Sequence, residues 1–206
     1  MKALYRIVNA LLAAALIPTA IFADLILFQV STTLLDAGME ESISIKFIID
    51  VLTGKEEFWA QILPDAGSFS WPAALDPIKG RLITFAVCFV LVIIAALFII
   101  IWSICSDKRI PVFVASVAAL ISTIVMIACF NSAAALFMDG TINVVEIFSS
   151  GWLVSLIGSI VLVDYLGLGG FQSGWIFLII GLIVWTGAYY IVEIGENEEE
   201  KPKKIK

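Results

Sequence analysis

The sequence contains no histidine, and only 15% of its 206 residues are Asp, Glu, Lys or Arg. Without histidine, the commonest metal ligand and the commonest general base near neutral pH are both missing. Cysteine is scarce too: Cys88, Cys105 and Cys129 all lie in apolar runs. Their spacing matches no metal pattern and offers no loop disulfide. With no nucleophile elbow and no metal set, the sequence points away from an enzyme and requires no cofactor. Asn-x-Ser/Thr acceptors are also absent, which together with the lack of a loop disulfide fits a prokaryotic cell membrane. A net charge of −6 with no basic stripe argues against nucleic acid as a partner.

What the chain has is apolar length. Hydrophobic residues make up 61% of it, and its mean hydropathy is +1.06. The stretch Leu82 to Ser106 carries no charge at all. About 20 apolar residues at roughly 1.5 Å each cross a hydrocarbon core of roughly 30 Å. Four such spans are expected, over about 5–31, 82–106, 112–138 and 171–192. The fold class is therefore an all-α polytopic membrane protein, a four-helix transmembrane bundle with a small extracytoplasmic β element, in one membrane domain, 1–192. The first span follows Lys2 and Arg6 and runs too far for a signal peptide, so it reads as a retained helix. Asn9, Pro18, Asp24 and Gln29 interrupt it, and Pro18 should kink it. Asp107, Lys108 and Arg109 form a turn so short that the second and third helices must be antiparallel neighbours. Pro111 suits the first turn of the third.

Two outer loops, 32–80 and 139–170, separate the spans. In the first, Ile43, Ile45, Phe47, Ile49 and Val51 alternate with Ser42, Ser44, Lys46 and Asp50. This predicts a strand over about 43–52 with one greasy face. Ile45, Ile48, Ile49 and Leu52 also fit a helix, but the β-branched content favours a strand. Lys55 to Leu63 reads as a short helix stopped by Pro64. In the second loop, Ile142, Val144, Val145, Ile147 and Phe148 predict a strand over about 141–149. Gly151 to Phe171 is too short before Asp164 to span comfortably, and reads as a re-entrant or interface-lying helix, with a fifth span as the alternative. The tail, 193–206, is charged throughout and expected to be disordered. With both termini cytoplasmic, the inner side holds eight basic residues and the outer side four, which favours that orientation.

The two halves match in places. Ala14-Ala15-Leu16-Ile17-Pro18-Thr19 resembles Ala118-Ala119-Leu120-Ile121-Ser122-Thr123. Ile48-Ile49-Asp50-Val51-Leu52-Thr53 resembles Val144-Val145-Glu146-Ile147-Phe148-Ser149. This suggests a tandem 2+2 helix repeat about an axis along the membrane normal. The order of long outer loop, short inner turn, shorter outer loop and cytoplasmic tail is similar to that of the claudin-like four-span proteins. That resemblance covers topology only. Trp59 and Trp71 occupy the first outer loop without the family's Gly-Leu-Trp motif or its cysteine pair, so no functional residue carries over.

Four polar residues are candidates for a ligand or ion site: Asp24, Gln29, Asn131 and Asp164. A carboxylate within a span costs about 3 kcal/mol on insertion scales, so such a residue needs a partner or a task. Gly174, Gly181 and Ala188 recur every seven residues in the last span, a stripe of small residues that lets another helix approach closely. The expected role is therefore assembly in the bilayer, with a second copy or another membrane protein as partner. The alternative is a small transporter or channel subunit using Asp24.

Overall fold

The computed structural model describes residues 2–32, 37–46, 73–106, 108–142 and 161–199. They form α1 (Lys2–Phe22), β1 (Asp24–Thr32), β2 (Ala37–Ser44), a 3-10 helix (Ala73–Ile78), α2 (Lys79–Cys105), α3 (Ile110–Met138), β3 (Val161–Leu168) and α4 (Phe171–Glu199). Among the described residues, four helices are long and apolar enough to cross a membrane. The shortest, α1, has 21 residues, a length of about 31 Å that matches a hydrocarbon core.

Each helix buries a single stripe. It comprises Tyr5, Asn9, Ala13, Leu16 and Ala20 on α1, and Cys88, Val92, Ala96, Ile99 and Ser103 on α2. On α3 it comprises Val112, Ser116, Ala119, Thr123, Met126, Phe130 and Ala133, and on α4 Phe171, Trp175, Ile179, Leu182 and Thr186. Steps of four and three residues keep such a seam facing its neighbours in shallow helix packing. The opposite faces expose Ile83, Val87, Ile94 and Ile101 on α2, and Phe177, Val184 and Ile191 on α4. In water so much apolar surface would drive aggregation; against lipid tails it carries no penalty. Ser116 and Thr123 turn their hydroxyls back to the carbonyls of Val112 and Ala119, at 2.8 and 2.9 Å, and so need no partner across the bundle.

The helices form a ring in which α1 and α3 each pack against α2 and α4. The expected short turn joins α2 to α3. Trp102 donates its indole N–H to the Lys108 carbonyl at 2.9 Å, and the Lys108 N–H reaches Ser106 Oγ at 3.2 Å. In the bundle centre Phe89 stacks on Trp175, with centroids 5.1 Å apart, and Trp175 meets Phe171 edge-on at 5.4 Å. Trp175 also donates its indole N–H to the Leu16 carbonyl at 2.9 Å.

A three-stranded sheet of order β2-β1-β3, antiparallel throughout, caps one end of this bundle. A small β element beside the four long helices is as expected, but it is built largely from other segments than 43–52 and 141–149, and it corrects two boundaries. The first span does not run to 31: the helix stops at Phe22 and the chain enters β1 at Asp24. The end of the expected re-entrant helix, 161–168, is strand β3 rather than helix. A short apolar run is ambiguous between helix and strand when periodicity alone is read. Here pairing between β1 and β3, far apart in sequence, resolves it. The strand expected over 43–52 overlaps β2 only at 43–44, because β2 begins at Ala37 and residues 45–46 are helical. Residues 47–52, the helix expected over 55–63, residues 143–149 of the second expected strand and the matched repeat segments at 48–53 and 144–149 lie outside the described residues. Residues 141–142 form a bend, and α4 continues through 199 where a disordered tail was expected from 193.

The sheet is tied directly to the helices. Beyond the Ile26–Leu168 pair, the Gly169 N–H donates to the Leu25 carbonyl at 3.0 Å, extending the ladder to the start of α4. Leu25 and Leu168 are buried in the same core as Phe171 and Trp175. An added Cβ at Gly169 would collide with the Asp24 carbonyl oxygen and stand 2.7 Å from Asp24 Cβ, so only glycine fits this crossing.

At the same end, α3 is closed by Asp139. Its Oδ1 accepts the Thr141 N–H at 2.9 Å, and Gly140 turns the chain at φ 76°. The Thr141 hydroxyl, and after it the Thr141 N–H, hold the Asp139 carboxyl below the ordinary aspartate range. Because the folded value is the lower one, its stabilisation is present above the unfolded pKa and is lost as pH falls through the folded value. A carboxyl-carbon NMR titration should place the Asp139 midpoint below the ordinary value. Thr141→Ala should raise that midpoint, and a midpoint that stays put would remove the hydroxyl as its cause.

Candidate functional site

The structure places the four sequence-selected polar residues away from the bundle centre. Asp24 opens β1 beyond the end of α1; it is exposed, and its Oδ1 accepts the Ser42 hydroxyl at 2.9 Å. The apolar helix that could cross a membrane ends at Phe22, so this carboxylate stands at the sheet and not inside a helical span. Gln29 pairs with Tyr165 across the β1–β3 ladder, and the register shift that follows leaves Asp164 as the extra residue of a bulge. The sheet therefore brings Gln29 beside Asp164, while Asp24 lies at the opposite end of β1. Asn131 is exposed on α3. No group of three His, Cys, Asp or Glu able to hold a metal ion occurs among the described residues.

Two members of the small-residue stripe, Gly174 and Gly181, face inward. An added Cβ at Gly174 would stand 2.8 Å from Thr19 Cγ2, and one at Gly181 would stand 3.9 Å from Leu12 Cδ1. Both glycines thus accommodate α1 of the same chain, and Ala188 is exposed. Close helix approach, the physical reason for small residues, is used within the protomer.

The end of the bundle away from the sheet holds a polar cluster that sequence reasoning did not assemble. Arg109, at the start of α3, is only 9% exposed. Its guanidinium donates to the Tyr189 carbonyl at 3.0 Å. The same group lies 4.2 Å from the Tyr189 ring centroid and 5.5 Å from that of Tyr5, cation–π distances to two rings. Tyr5 and Tyr189 are themselves 4.8 Å apart. One turn deeper, Thr186 donates a long 3.5 Å hydrogen bond to Asn9 Oδ1. Asn9, Tyr5 and Thr186 are all buried. Even so, the Tyr5 hydroxyl and Asn9 Nδ2 have no hydrogen-bond partner among the described residues. Each such group costs about 1–3 kcal/mol if it stays dry, so this is a place for water or a polar ligand.

Beside the cluster, a half-open groove of about 440 Å³ runs between α3 and α4. It is lined by Arg109, Ile110, Phe113, Thr186, Gly187, Tyr190 and Ile191, and its size falls in the usual range for small-ligand pockets. Among the described residues of that lining Arg109 is the one that carries a charge, and the surface of the groove itself is apolar. The signal for the cluster was present in the sequence: Tyr5 and Asn9 sit one turn apart in an apolar helix, and Thr186 shares the register of the buried positions on α4. What the sequence could not show is that three helices converge there.

Comparison with protein-family models, with curated proteins and with solved structures finds no match to this chain. The class is defined by the fold itself: four helices able to span a membrane, with a three-stranded sheet over one end.

Proposed function

We propose that this protein is a non-enzymatic, multi-pass cell-membrane protein with both termini cytoplasmic, and that it acts by assembling with itself or with another membrane protein. The observation that carries this reading is the coupling of sheet to bundle. β1 continues from α1 and β3 leads into α4, with Leu25, Leu168 and Gly169 packed at the joint. A sheet held this way is a rigid platform above the bilayer. Among the described residues, β2 and β3 each have a strand on one side only. An edge strand offers backbone donors and acceptors in a row, which another chain can pair with. The inward-facing glycines of α4 favour the sheet over the α4 stripe as the contact surface.

The test is site-directed crosslinking in native membranes. Ser42, exposed on β2, is replaced by cysteine in a chain whose Cys88, Cys105 and Cys129 have been changed to alanine. A bis-maleimide should then yield a discrete dimer or one reproducible heteromeric adduct. Native mass measurement in mild detergent should give the same stoichiometry. Monomer alone in both experiments overturns the proposal.

A further inference from the structure

We propose that the outer edge of β2 takes up an extended segment carrying lysine or arginine, supplied by another protein on the sheet side of the membrane, and does not take a second copy of this chain. This rests on the assembly reading above and narrows it to one edge and one class of partner. Three observations carry it.

First, the two edges of the sheet differ. β3 has a bulge at Asp164, an exposed acidic residue, and packs against α3. Bulges, charges and covering elements close an edge to further strands. β2 is regular: it pairs with β1 one to one from Ile43 with Ile26 to Ala37 with Thr32, and its irregularity is confined to the Asp24 end. Among the described residues no helix packs closely on β2.

Second, β2 reads Ala37-Gly38-Met39-Glu40-Glu41-Ser42-Ile43-Ser44 and contains no proline. Every residue therefore has an N–H, and in a strand paired on one side alternate residues turn their backbone groups to the open side. An incoming strand gains affinity from those groups, while its side chains set selectivity.

Third, charge selects the occupant. Glu40 and Glu41 stand at the centre of β2, and the strand has no basic residue. Two copies related by a two-fold axis would join these edges antiparallel. Full-length pairing then sets Glu40 opposite Glu41 of the other copy, and Glu41 opposite Glu40. Like charges directly opposite destabilise a strand pair, and opposite charges stabilise it. The edge is thus closed to itself and open to a strand with cations at the matching positions.

The test uses purified chains in mild detergent. One reporter is Ser42→Cys in the chain with Cys88, Cys105 and Cys129 changed to alanine. A second adds Glu40→Lys and Glu41→Lys, with a longer affinity tag to mark it on a gel. With a bis-maleimide, each reporter alone should give little dimer. An equimolar mixture should give a mixed dimer about fivefold above either self-dimer, because two charge pairs change from like to opposite. High salt should erase that excess. A separate arm keeps the native glutamates. A synthetic peptide alternating lysine and valine should slow maleimide labelling of Ser42→Cys. The same peptide with proline for valine, which lacks ladder donors, should not, and neither should one with glutamate for lysine. A self-dimer of the first reporter as abundant as the mixed dimer overturns the proposal; it makes a second copy the occupant and leaves the assembly reading standing. Absence of the mixed dimer, when both reporters share the same circular dichroism, also overturns it. If the double substitution alters the circular dichroism, the peptides decide: labelling slowed by all three, or by none, overturns the proposal.

Discussion

Gly169→Ala is expected to loosen the sheet from the bundle and to lower stability by about 3 kcal/mol, the upper end for overpacking. At this chain length that corresponds to roughly 6–12 °C in the thermal midpoint. The new methyl group would overlap the backbone carbonyl of Asp24, which cannot rotate away because Asp24 begins β1 and pairs with Ser44 of β2. Relief requires β1 or the start of α4 to move, and either movement breaks the Gly169 to Leu25 hydrogen bond that seals the joint. The neighbouring Gly167→Ala is the control. Its Cβ would also be too close to something, but that something is the ring tip of Tyr165, an exposed side chain free to swing outward. It should cost less than about 1 kcal/mol. Thermal unfolding in detergent measures both. Hydrogen exchange should show faster amides in β1 and β3 for Gly169→Ala alone. Equal stability of the two variants would mean that the sheet is not fastened where the structure fastens it.

Trp175→Ala should be the most damaging single change within the bundle, at about 3–5 kcal/mol. Its indole is completely buried, stacked on Phe89 and edge-on to Phe171, so deletion opens a cavity that links α2, α4 and the sheet-facing core. It also removes the N–H that the Leu16 carbonyl accepts. Pro18 follows two residues later on α1, where the missing proline N–H leaves that helix one backbone bond short. A cross-helix donor in this stretch therefore braces a weakened segment. Trp175→Phe separates the two contributions. It keeps most of the ring contact and loses the hydrogen bond, for about 1 kcal/mol, the scale of interhelical hydrogen bonds in membranes. If the phenylalanine variant is as unstable as the alanine variant, the hydrogen bond and not the packing dominates.

Much of the helical layout was legible because lipid as a solvent imposes long apolar runs. Leu82 to Ser106 could hardly be anything but a helix. The short Ser106–Arg109 connection requires α2 and α3 to be antiparallel neighbours. The seven-residue recurrence of Gly174 and Gly181 announced a close helix contact, and α1 provides it. The sheet was less legible. Leu25-Ile26-Leu27-Phe28 is as apolar as the helix before it, so a count of apolar residues runs straight through Ala23. Val161–Leu168 is equally ambiguous. Neither segment has a strict two-residue alternation, since the strands lie over a greasy bundle and carry apolar side chains on both faces. Asp24 looked like an intramembrane acid only because the strand was counted as part of a span.

The polar cluster shows the other kind of gap. Tyr5, Asn9, Arg109, Thr186 and Tyr189 come from three helices, and each taken alone has an ordinary explanation. Arg109 in particular reads from sequence as a topogenic charge in a turn. The structure buries it against two tyrosine rings that are packed on each other, beside a groove.

By itself, then, the sequence determined the solvent and the number of long helices, because hydrophobic length is a property of contiguous residues and needs no partner. It also determined the lack of histidine chemistry and the tight α2–α3 hairpin. Tertiary structure alone decided where α1 ends, that β1 pairs with β3, that the glycines of α4 are occupied by α1, and that Arg109 meets Tyr5 and Tyr189. Those outcomes depend on which distant segments meet at a given surface. Backbone pairing and close packing are set by three-dimensional neighbours, and no window of consecutive residues contains them.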